Sequence, residues 1–204
     1  MEIESFIAGS LASLLGVFAT ILATNKIEKI KAKSESAKYR NMLYLELRDL
    51  CEECFDSLDD LYSLYAKAYM YERTNEKHYL DNYQTPKSLN LIVLKDTIDK
   101  CFLDLTKEQR GALRSLLSLV EQVEVSFSKL AEKTYENHRN ITPNDVYRLL
   151  SSFGVIYQLA LALSNEKERY AGIKKSPSEL MDDTLMVKSF SLEFIALSNR
   201  ANVA

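Results

Sequence analysis

Residues 5–24 read Ser-Phe-Ile-Ala-Gly-Ser-Leu-Ala-Ser-Leu-Leu-Gly-Val-Phe-Ala-Thr-Ile-Leu-Ala-Thr, a run without a charge, a proline or a side-chain amide. At a helical rise of about 1.5 Å per residue the run is about 30 Å long, which matches the hydrocarbon core of a bilayer. On a helical wheel at about 100° per residue, Phe6, Ile7, Leu11, Leu14, Leu15, Val17, Phe18, Ile21 and Leu22 fall on one half. Ser5, Ala8, Gly9, Ala12, Ser13, Gly16, Ala19, Thr20, Ala23 and Thr24 fall on the other. Lipid gains nothing from a small face, whereas a neighbouring helix does, because small residues let backbones approach and hydroxyls bond across the gap.

The nine bulky residues supply roughly −3 to −5 kcal/mol of insertion energy at about −0.3 to −0.6 each. The Ser, Thr and Gly residues offset a comparable amount, so the helix inserts marginally alone and better when copies cover its small face. Gly9, Ala12, Ser13, Gly16, Thr20 and Thr24 are therefore the expected oligomerisation residues, and they would line a lumen if the assembly encloses one. Two other readings fit the same pattern: a buried helix of a soluble bundle, and a small face that only eases packing.

Charge orients the expected span. The leader Met-Glu-Ile-Glu-Ser is acidic, unlike the positive start of a signal peptide. Lys26, Lys29, Lys31, Lys33, Lys38 and Arg40 follow the run against only Glu28 and Glu35. The positive-inside rule then places the N-terminus outside and the remainder in the cytosol of a bacterium, with the protein in its inner membrane. Lys26, Lys29, Lys31 and Lys33 would lie at the membrane surface and attract anionic lipid. No second stretch reads as long and uncharged enough to span. The expected divisions are an anchor at 1–25, a basic stalk at 26–40 and a cytosolic domain at 41–204.

The remainder reads as all-α, because Gly and Pro are scarce and no strand-type alternation competes. Leu43, Leu47, Leu50, Cys54, Ser57, Leu61, Leu64 and Ala68 repeat at heptad-like spacing, widened by Cys51, Leu58, Tyr65 and Tyr69 into a face that suits a bundle. Residues 74–87 read as a long loop. A helix follows at about 88–105 with Leu91, Ile92, Leu94, Ile98, Phe102 and Leu105 as its apolar set. Thr106-Lys-Glu-Gln109 starts another, with Leu113, Leu116, Val120, Val123, Phe127 and Leu130 inward. After a connection at 138–141, Thr142-Pro143-Asn-Asp145 starts a fifth, and Ser176-Pro177-Ser-Glu179 starts a last one expected to reach about Asn199.

The net charge of −3 argues against a general nucleic-acid binder. Cys51-Glu-Glu-Cys54 lies mid-helix on the apolar face, so it reads as buried thiols rather than a redox or zinc site. No phosphate loop, nucleophile triad or dinucleotide fingerprint is present, and no metal or cofactor is expected.

Arg73-Thr-Asn-Glu-Lys-His78 resembles the Arg-x4-6-His signature of HEPN ribonucleases, all-α proteins whose motifs pair across two subunits. The resemblance implies that Arg73 binds the scissile phosphate and His78 serves in acid–base work. The family commonly carries Asn, Asp or His where this chain has Thr74. The whole layout is similar to single-pass membrane effectors of bacterial anti-phage systems, such as the HEPN-like membrane accessory protein of type VI-B CRISPR systems. That similarity implies a self-associating, membrane-permeabilising or pore-forming effector whose partners are the lipid bilayer, other copies of itself and a cytosolic protein partner or sensor. The alternatives are a membrane-tethered ribonuclease and a non-catalytic scaffold that recruits a protein.

Overall fold

The computed structural model describes residues 2–80, 88–89, 91–136 and 141–191, with side chains described from Gly16 onward and as far as Lys133 in the third helix. Among these residues all regular structure is helical, as the composition indicates. The helices are α1 (Glu2–Thr74), α2 (Ile92–Cys101), α3 (Lys107–Glu136), α4 (Pro143–Glu166) and α5 (Pro177–Val187).

Helix α1 runs unbroken for 73 residues, about 110 Å at the helical rise. No Gly or Pro interrupts it after Gly16, so each turn can propagate from the last. It ends where Asn75 takes a left-handed conformation at φ 56° and donates its N–H to the Tyr71 carbonyl at 2.8 Å, an ending that Asn tolerates better than most residues. The stalk expected at 26–40 and the heptad-spaced stretch from Leu43 are parts of this one helix. Residues 16–35 are exposed throughout, and burial begins between Ser36 and Leu43.

From there α1 is the trunk of an up-and-down bundle. The whole heptad row is buried, from Leu43 through Leu47, Leu50, Cys54, Ser57, Leu61 and Leu64 to Ala68, as are Cys51, Leu58, Tyr65 and Tyr69. Helix α2 runs back along α1: Lys100 Nζ lies 5.3 Å from the Tyr39 ring centroid, and the Ser36 hydroxyl donates to Asp104 just beyond the helix. Helix α4 is also antiparallel to α1, with Tyr147 beside Tyr65 and Cys51 Sγ 4.0 Å from the Tyr157 carbonyl. Helices α3 and α5 run in the direction of α1. The connections at 102–106 and 167–176 therefore lie at the end of the bundle where the exposed part of α1 emerges.

Local chemistry sets most helix starts. Thr106 and Gln109 bond reciprocally at 2.8 and 3.2 Å, Thr142 and Asp145 at 3.1 and 3.3 Å, and Ser176 and Glu179 at 2.7 and 3.3 Å. Each pair satisfies backbone N–H groups that a helix start leaves open. Gln109 does more: its amide also donates to Tyr44 Oη at 3.0 Å and to the Lys167 carbonyl at 2.8 Å. One buried amide thereby joins α1, α3 and the end of α4.

Some expectations need correction. The third stretch starts at Ile92, not Ser88, and passes into a 3₁₀ turn, Phe102–Asp104. Ile92 is 76 % exposed, because the first turn of the helix points that position away from α1. Phe102 and Phe127 are half-buried rather than core. The segment after Thr74 carries a 3₁₀ turn at Lys77–Leu80. Helix α5 ends at Val187 instead of continuing to Asn199: Ser189 has φ 56°, its N–H bonds the Met186 carbonyl at 3.1 Å, and the Phe190 N–H bonds the Leu185 carbonyl at 2.9 Å. This is a Schellman ending with serine in the position usually held by glycine. Phe190 then stacks on Tyr62 of α1, with centroids 4.0 Å apart. Residues 138–140 and 192–199, part of the expected connection and of the expected last helix, lie outside the described residues.

Candidate membrane-facing helix

The exposed stretch of α1 at 16–35 carries six of the thirteen large apolar residues left open among the described residues. Val17 is 55 % exposed, Phe18 64 %, Ile21 51 % and Leu22 66 %, and Ile27 and Ile30 continue the series. Fully burying such a side chain is worth about 1.5–3 kcal/mol. Four half-exposed residues thus leave several kcal/mol unclaimed by the fold. The bundle packs on none of them.

On the opposite side, beyond the backbone of its own helix turns, nothing lies within 4 Å of where a Cβ on Gly16 would stand. Thr20 Oγ1 donates to the Gly16 carbonyl at 2.8 Å, which satisfies the hydroxyl within its own helix and lowers the cost of placing it in an apolar medium. Thr24 is exposed on the same continuous helix. Gly9, Ala12 and Ser13 have helical backbone, and their side chains lie outside the described residues. Lys26, Lys29, Lys31 and Lys33 are all exposed in the next turns, forming a cationic collar between the apolar run and the bundle.

Among the described residues one helix is long and apolar enough to cross a membrane, and it is not the N-terminal one. Pro143–Arg169 has a mean hydropathy of 1.4 over its most apolar window and is long enough to cross a bilayer, so the expectation that no other stretch would qualify was too narrow. Its apolarity has another explanation. That window is 61 % buried inside the protein, because α4 packs against α1, α3 and α5 at once. Phe153, Ile156 and Ala160 are fully buried there. A helix surrounded by partners is apolar on most sides without meeting lipid.

Arg73 and His78 sit on different elements, the last turn of α1 and the following 3₁₀ turn, and both are exposed. Arg73 donates to Tyr69 Oη at 3.1 Å, with its guanidinium 5.7 Å from that ring's centroid. His78 Nδ1 lies 3.5 Å from Glu76 Oε2, and its ring packs on Tyr79. Each is engaged by its own sequence neighbours.

The three cysteines are buried free thiols. Burial pushes the Cys51 thiol up to about 11, with Glu52 adding to the effect. Burial likewise raises Cys54 and Cys101. These are the reverse of the conditions that activate a thiolate. Among the described residues no group of three or more His, Cys, Asp and Glu is placed to hold a metal ion.

Sequence reasoning did not anticipate two open clefts. One, of about 490 Å³, lies between α1 and the end of α4 beside Tyr44, Arg48 and Lys167. The other, of about 690 Å³, lies over α3 and α4 beside Leu119, Val155, Leu159 and Ile173. Their lining comes from separate elements at no fixed spacing, so no local pattern marks them. No protein-family model matches the chain, and neither a curated protein nor a solved structure matches it.

Proposed function

We propose that the chain is a single-pass bacterial inner-membrane protein, N-terminus outside, that self-associates through the small face of its anchor and permeabilises the membrane as an effector of defence. The observation that carries this reading is the uncharged run at 5–24 on a helix whose described apolar residues, Val17, Phe18, Ile21 and Leu22, are left open by the bundle. Lipid covers the bulky half. Copies of the chain cover Gly9, Ala12 and Gly16, and in a ring Ser13, Thr20 and Thr24 face water. The lysine collar holds the helix in register with the cytosolic headgroups. The cytosolic bundle receives the partner or sensor that sets when the assembly forms. This layout is similar to the membrane effectors of anti-phage systems named above.

Dye release from vesicles carrying the purified full-length protein tests the reading. Release is expected from wild type and is lost when Gly9 and Gly16 are both replaced by Ile. If assembly size and leakage both survived that change, the small face would have no role. RNA cleavage that disappears with His78→Ala, in protein that releases no dye, would instead select a membrane-tethered ribonuclease.

A further inference from the structure

We propose that the membrane-facing end of the bundle is a second lipid contact, docking on anionic phospholipid headgroups with Leu103 as its apolar tip. This rests on the reading that α1 spans the bilayer, since the span decides which end of the bundle faces the membrane. Two connections form that end: the turn after α2, at 102–106, and the connection from α4 to α5, at 167–176.

Leu103 is 90 % exposed, the most open large apolar residue among those described. A single exposed leucine is ordinary; its surroundings are not. Over residues 100–114 and 167–175 there are eight Lys and Arg against three acids, in a chain whose net charge is −3; Lys100 and Lys175 are held by Asp96 and Asp183, which leaves six. Asp104 accepts from Ser36 and Glu168 lies 4.0 Å from Arg40, so two of the three acids face α1. Lys107, Arg114, Arg169 and Lys174 are exposed. The guanidiniums of Arg110 and Arg114 lie 5.8 and 5.2 Å from the Phe102 ring centroid, beside Leu103. Farther along α1 the sign reverses: residues 46–60 hold seven acids and one arginine. Cations with an apolar tip at one end, and acids away from it, fit an anionic surface met from one direction.

The distances permit it. Ser36, which holds the turn through Asp104, is twelve residues beyond Thr24, about 18 Å along the helix. The headgroup zone occupies roughly 5–8 Å of that. The remaining gap of about 10 Å is close to the Debye length in physiological salt, so the cations sense the surface even when α1 is upright. A tilt of about 20°, the average for spanning helices, lowers the end of the bundle toward contact. Each cation brought to an anionic surface favours the docked state by about fivefold.

The test uses full-length protein with a polarity-sensitive fluorophore on one introduced cysteine, at Val17, Leu103 or Ser63. The buried native thiols stay unlabelled. Vesicles are phosphatidylcholine alone or mixed with phosphatidylglycerol. The Leu103→Cys label is expected to shift to the blue with phosphatidylglycerol, to shift less in phosphatidylcholine alone, and to lose the shift when Lys107→Glu and Lys174→Glu are added. Both lysines are exposed, and an acid in the first turn of α3 favours that helix, so misfolding does not mimic the loss. The exposed Ser63→Cys label should read water in both lipids. A Val17→Cys label in lipid with a Leu103→Cys label in water in both compositions overturns the docking surface alone. A Val17→Cys label in water overturns the spanning helix itself.

Discussion

Replacing Gly16 by Ile separates folding from assembly, because the two respond with opposite sign. In the single chain, beyond the backbone of its own helix turns, nothing lies within 4 Å of where the new Cβ would stand, so the bundle does not oppose the substitution. Helix propensity then favours the variant by about 0.5 kcal/mol, the difference between Gly and Ile in a helix interior. In an assembly joined through the small face, the same side chain enters a contact that requires close backbone approach. Overpacking there costs about 1–3 kcal/mol, a loss of about five- to hundredfold in association at tenfold per 1.4 kcal/mol. Sedimentation equilibrium in detergent micelles reads association, and thermal unfolding by circular dichroism reads the fold. Gly111→Ala is the control, since Gly111 also has open space around its Cβ position but lies on α3: it should raise stability slightly and leave association unchanged. Equal association constants for wild type and Gly16→Ile would refute the small face as the contact.

Three further outcomes follow from the bundle. Gln109→Leu should cost about 1–3 kcal/mol in urea unfolding, because it strands the buried Tyr44 Oη and leaves the part-buried Lys167 carbonyl and Thr106 N–H without this partner; adding Tyr44→Phe should recover part of that loss. Burial alone pushes the Asp145 carboxyl up, but the Lys133 ammonium and the Thr142 hydroxyl and N–H outweigh it and hold it below the ordinary carboxylate range. A depressed carboxylate stabilises the fold above its unfolded pKa and loses that contribution as pH falls through the folded value, so Asp145→Asn should flatten the acid limb of stability below about pH 4. With the Cys51 thiol raised to about 11, about a thousandth is thiolate at pH 8, and a chromogenic disulfide reagent should find no reactive cysteine until denaturant is added.

Much of the bundle was legible because its signals are local. The pairs Thr106 with Gln109, Thr142 with Asp145 and Ser176 with Glu179 announce helix starts through bonds three residues apart. The α1 core row follows from heptad spacing alone, and every residue named in it is buried. What escaped depends on distant contacts. Serine at 189 gives no glycine signal, so the end of α5 shows only in its left-handed backbone and in Phe190 resting on Tyr62. Helix α4 mimics a spanning segment because three neighbours cover it. Gln109 is recognisable as a cap, yet its bonds to Tyr44 and Lys167 cross 65 and 58 residues of chain. The exposed face of α1 was legible as a pattern of bulky and small residues. Its separation from the bundle depends on where the other helices pack, which spacing does not encode.

Cysteine accessibility in intact cells tests the spanning helix most directly. With Glu4→Cys and Lys33→Cys placed singly in the full-length chain, a membrane-impermeant maleimide should label position 4 from outside, and position 33 only after the membrane is opened. Labelling of both positions in the soluble fraction of lysed cells, with none in the membrane pellet, would contradict the account.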